Sequence, residues 1–143
     1  MTRIGQAAML LHGGDREEAR NRFGALWSEI GETGDPLQRC TLARYLADAQ
    51  DDPGDELAWD LRALAAADAL AQERPVDRAA ALAALYPALH LDLAADYVKL
   101  QDLGAARLHL ARARGASSAL RDDGYGRGVL AAIERVADRL DGT

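Results

Sequence analysis

His90, Asp92 and Asp96 are the residues of this 143-residue chain whose types and spacing come closest to a chemical site. Two carboxylates one helical turn apart, near an imidazole, could share a proton or hold a divalent cation. On a helix, however, residues two apart are turned about 200° from one another, so His90 shares a face with the carboxylates only loosely. No further Glu/His pair recurs on another segment, as a di-iron bundle requires. A small helical enzyme or metal-binding protein built on these three is therefore the alternative, and the expectation is that the chain is not an enzyme. His90 also falls on the face that should pack against the next helix, where a hydrogen-bonded core histidine is the ordinary outcome. His12 and His109 stand isolated.

The densest run of oxygen donors is DAQDDPGDELAWD, residues 48–60, with six carboxylates and no base. A calcium loop counted from Asp48 needs Gly at its sixth position and Glu at its twelfth, and these are Pro53 and Trp59. The match fails. Asp52, Asp55 and Glu56 read instead as the start of a helix, and Asp51 as part of the turn before it. Gly124-Tyr-Gly126-Arg-Gly128 lacks the spacing and the preceding strand of a dinucleotide fingerprint, so these glycines should shape the turn into a last helix. No phosphate loop, HExxH or nucleophile elbow is present. The expectation is no cofactor, no metal and no catalytic residue.

Composition narrows the partners. Residues 1–76 carry 8 Arg against 14 acids, and residues 77–143 carry 9 bases against 9 acids, so all of the net charge of −6 sits in the first half. A duplex-binding protein needs a basic stripe, and none exists. One cysteine, Cys40, allows no internal disulfide and no Cys-rich zinc site, which suits a reducing cytoplasm. The apolar run from Ile4 to Leu11 is short, interrupted by Gln6 and followed by a charged segment, so neither a signal peptide nor a membrane span is expected.

The elements that must position any site are helices. Apolar residues recur at helical spacing nearly everywhere, which predicts helices over 3–12, 16–31, 36–50, 54–72, 79–103 with an interruption at Pro87, 104–118 and 125–141. Asp15, Asp35 and Asp52 are placed to cap three of them, with Glu18 at the capping-box position and Pro36 and Pro53 at the first helical positions. Short linkers predict antiparallel neighbours in one domain spanning 1–143.

The stretch HLDLAADYVKLQDLGAARLHLARA, residues 90–113, places Leu93, Ala94 and Tyr97 on one helix and Ala106, Leu110 and Ala113 on the next. A small–large–small pattern facing its complement lets two helices approach closely. This resembles the tetratricopeptide repeat, with His90 and Ala94 at the usual Trp and Gly positions. Leu10, Ala19, Phe23 and Leu26 fit a first pair, and Leu42, Ala43, Leu46, Ala58 and Ala65 a middle one. The phrases GDREEAR, ELAWDLRAL, YPALHLDLAADY and DDGYG resemble a group of short bacterial tetratricopeptide-like proteins. The resemblance implies an all-α repeat fold of about three helix pairs (3–31, 36–72, 87–118) and a capping helix at 125–141.

The resemblance also implies a non-catalytic module that binds a peptide or a partner protein in a concave groove. Carried over residue by residue, the groove would take Cys40, Thr41, Arg44 and Asp48 from the middle pair and Leu91, Asp92 and Lys99 from the last, Asp48 and Asp92 departing from a carboxylate clamp. A second alternative is a self-associating subunit, a homodimer joined through Ala/Leu faces. Trp27 and Trp59 are expected to pack against neighbouring helices, and Asp60 and Asp68 to be buried carboxylates needing an Arg from another helix.

Overall fold

Aspartate caps five of the helix starts among the described residues. The computed structural model describes residues 3–31 and 33–142, and no strand occurs among them. Seven helices follow in order: α1 (Arg3–His12), α2 (Arg16–Ile30), α3 (Pro36–Asp48), α4 (Pro53–Gln72), α5 (Ala79–Lys99), α6 (Leu103–Ala116) and α7 (Gly124–Asp141), with one 3-10 turn over Ser117–Ala119. Asp15, Asp35, Asp102 and Asp123 each accept the backbone N–H three residues on, ahead of α2, α3, α6 and α7. Asp52 does the same for the Asp55 N–H at 2.9 Å, ahead of α4. Each cap satisfies one orphan donor and contributes about 1 kcal/mol. The capping box of α2 is half made: the Asp15 N–H is taken by the Leu10 carbonyl, and the Glu18 carboxylate accepts from Arg22 at 2.9 Å.

The expected interruption at Pro87 is corrected by α5, which runs unbroken with Pro87 buried inside it. A helix proline forfeits the bond to the carbonyl four residues back, here that of Ala83. The flanking Leu82, Ala88 and Leu89 are buried, and that packing outweighs one lost hydrogen bond. α5 also ends at Lys99, four residues before the expected 103, because Gln101 adopts a left-handed φ of 61° and the Asp102 N–H returns to the Tyr97 carbonyl at 2.9 Å.

The chain divides into two compact units, Met1–Ala69 and Leu70–Thr143. In the first, Ala7, Ala8, Ala19, Phe23, Leu26, Leu42, Leu46 and Ala49 form the core, which spans α1, α2 and α3. Phe23 stacks on Tyr45 at 5.2 Å and Trp27 meets Trp59 edge-on at 5.0 Å, so both tryptophans serve packing as expected. Arg16 and Arg20 of α2 reach the C-terminal end of α3. Arg16 Nη2 donates to the Asp48 and Gln50 carbonyls at 3.0 and 2.9 Å, and Arg20 Nη1 to the Ala49 carbonyl at 3.1 Å. Both guanidinium groups also pair with Asp51, whose carboxyl they hold below its ordinary value. Asp51 is thereby accounted for as a clasp between two helices.

In the second unit, α5 and α6 form an antiparallel hairpin about the turn at 100–102, so facing residues have numbers that sum to about 200. Leu91 and Ala94 meet Ala106, Leu110 and Ala113, and α7 covers the seam with Val129, Ile133, Val136, Ala137 and Leu140. The close approach of α7 to the preceding loop demands glycine at 126: a Cβ there would lie 2.0 Å from the Arg121 carbonyl oxygen. On α4 the buried small residues are Ala63, Ala66 and Ala67; Ala65, expected to pack, is exposed. Asp60 is buried as expected, whereas Asp68 is exposed, one helix face away. No helix among the described residues is long and apolar enough to cross a membrane.

Candidate functional site

Thr41, Arg44 and Asp48 recur along α3 at the spacing that keeps side chains on one face. With Tyr45 they line a polar crease of about 220 Å³. The Thr41 hydroxyl is committed to the Leu37 carbonyl at 3.1 Å. Asp48 keeps an exposed edge, yet enough of its carboxyl lies against protein that desolvation raises its pKa. Arg44 opposes that rise and Glu56 adds to it, with Arg16 and His12 as weaker counterweights. The face thus presents two opposite charges, one of them strained toward protonation.

Two residues expected beside these are elsewhere. Cys40, a helical step of about 100° from Thr41, is turned inward and is 1% exposed. Leu91 belongs to the core of the second unit, packed with the α6 and α7 residues named above. Neither offers a side chain to a groove. Asp92 is half-buried on α5 and Lys99 is exposed at its C-terminal end.

His90 turns toward the second helix of its hairpin. Its Nδ1 lies 3.0 Å from Nδ1 of His109, which α6 places opposite it in the hairpin. The two rings are stacked at 5.2 Å, with Tyr86 beyond His90 at 6.1 Å and Tyr97 beyond His109 at 5.5 Å. The order Tyr86, His90, His109, Tyr97 forms a continuous aromatic ladder across two helices. One imidazole must give its N–H to the other's lone pair, and two imidazolium ions cannot occupy this geometry. Burial lowers the His109 pKa, and the Arg112 charge lowers it further. His109, isolated by sequence, is therefore the partner of His90, while Asp96 is buried at 2% exposure.

Beyond this ladder, the open end of the hairpin holds a cavity of about 770 Å³. Leu82, Ala83, Tyr86 and His90 line it from α5 and Arg112 and Ala116 from α6, with Arg74 and Pro75 from the loop after α4. Arg74 adopts a left-handed φ of 50°, a conformation that costs a residue with a side chain about 1 kcal/mol or more. Its N–H still closes the end of α4 on the Ala71 carbonyl at 3.1 Å. Arg74, Tyr86 and Arg112 belong to no catalytic or binding motif in the sequence, and the break between the helices expected over 54–72 and 79–103 is the one feature that marks the place.

No family model matches the chain, and no curated protein and no solved structure shows significant similarity to it.

Proposed function

We propose that this chain is a non-catalytic binding module of tetratricopeptide-like build, acting in the cytoplasm, which recognises a peptide segment or partner protein through the exposed face of α3. The observation that carries the reading is the convergence of Thr41, Arg44 and Asp48 on one polar crease, with an accessible cation beside a carboxylate whose pKa is raised. Perturbed ionisable groups in an accessible crease mark functional surfaces more often than ordinary helix faces. The burial of Leu93, Ala94, Ala106, Leu110 and Ala113, the positions that carry the repeat resemblance, supports the build.

The enzymatic alternative weakens because His90 is engaged with His109, and an imidazole pair inside a hairpin is a structural arrangement first. A partner with a basic and an acidic group at matching spacing is what the α3 face would select. Affinity capture from native lysate tests this: wild type should recover a partner that Arg44→Glu, still folded, does not. Recovery of the same partner by both proteins would show that the α3 face is not the binding surface, and mass that rises with concentration would favour self-association.

A further inference from the structure

The cavity at the open end of the α5–α6 hairpin lies in the second unit and makes no use of the α3 face. Its volume of about 770 Å³ falls within the range of roughly 300–1,000 Å³ typical of small-molecule sites. Most of its wall is apolar, from Pro75, Leu82, Ala83, Ala116 and other small side chains. The charged residues that line it are Arg74 and Arg112, and no carboxylate does, in a chain with 23 acids. Among the described residues neither guanidinium is held by an ion pair. The first residue of α5, Ala79, also lines the cavity, and α5 starts without the side-chain cap that α2, α3, α6 and α7 receive. All the electrostatic features of the cavity favour an anion.

We propose that this cavity binds a small apolar carboxylate, an acyl or aryl acid, with its tail against Leu82, Ala83 and Ala116 and its head between the guanidinium groups of Arg74 and Arg112. The planar guanidinium fork matches a carboxylate with two parallel hydrogen bonds, and an apolar wall without acids gives the tail no competitor. Left-handed Arg74 fits this role, because backbone strain of this kind is retained where a side chain must be aimed.

Isothermal titration of the intact protein with decanoate, decanol and inorganic phosphate tests the proposal. Decanoate should bind one to one and more tightly than decanol, its affinity should fall as salt is raised, and phosphate should not compete. Arg74→Gln with Arg112→Gln should weaken decanoate by about tenfold or more while leaving decanol unchanged. Both arginines are exposed, so the variants should fold as wild type does. Lys99→Gln, outside the cavity, should have no effect. Equal affinity for decanoate and decanol, indifference to the paired arginine change, or no saturable binding would each overturn the proposal, and none of these bears on the α3 face.

Discussion

His90 and His109 meet Nδ1 to Nδ1 at 3.0 Å across the α5–α6 hairpin, each ring backed by a tyrosine. The contact ties the two helices at mid-length and tolerates at most one positive charge. It makes the hairpin sensitive to acid at a position where an apolar pair would not be.

The sign of that sensitivity follows from His109. Its folded-state pKa is depressed, by burial first and by Arg112 second, so the neutral ring is the form that the fold favours. The stability associated with it is fully present above the ordinary histidine value of about 6.5 and is lost as pH falls through the lower folded value. Urea midpoints measured from neutral pH to about pH 5 should decline in wild type, and His109→Phe should flatten that part of the decline. Parallel curves for the two proteins would show that the histidine pair does not set the response.

Asp48 behaves in the opposite sense. Desolvation raises its pKa in the folded state, so its contribution is most favourable below the ordinary carboxyl value and is lost as pH rises through the raised one. Asp48→Asn should therefore be more stable than wild type at neutral pH, with the difference vanishing at about pH 3. Thermal midpoints at the two pH values decide the matter, and a variant less stable at neutral pH would mean that Arg44 outweighs desolvation.

Much of the fold was legible in the sequence, and for identifiable reasons. Asp15, Asp35 and Asp52 cap helices as their types and positions require, and Ala19, Phe23, Leu42 and Leu93 are fully buried where helical spacing placed them. What escaped depends on pairing. His109 looked isolated because its partner is 19 residues away, and only the register of the hairpin turn brings the two together. Pro87 looked like a break because local propensity favours one, whereas burial on the surrounding turns decides against it. The repeat resemblance places Cys40 and Leu91 at groove positions because it carries positions, not rotation about the helix axis, and both side chains are buried. Arg74 carried no signal as a residue type, since its left-handed backbone is visible only in three dimensions.

Strain at Arg74 can be measured directly. Without a Cβ, glycine adopts the left-handed conformation freely, so Arg74→Gly should be more stable than Arg74→Ala by about 1 kcal/mol. The same ranking should hold at Gln101, whose φ is 61°. Chemical denaturation of the four variants checks both positions. Equal stability of the Gly and Ala variants would show that the backbone is unstrained in solution.

Gly126 is constrained by space. An added methyl group would press into the Arg121 carbonyl at 2.0 Å, where backbone on both sides must shift to admit it. Gly126→Ala should cost about 1–3 kcal/mol, as overpacking does, although alanine is otherwise the better helix former. Gly128, with nothing near its Cβ direction, supplies the control: Gly128→Ala should stabilise.

Whether the α3 face selects a partner is read from the affinity of the captured partner for wild type, Arg44→Glu and Arg114→Glu. Arg114 is an exposed arginine of the second unit, paired with Glu134, and serves as a charge-matched control. Arg44→Glu should weaken binding by about tenfold or more, while Arg114→Glu should stay within about twofold of wild type. Equal affinities for wild type and Arg44→Glu would show that the α3 face does not select the partner.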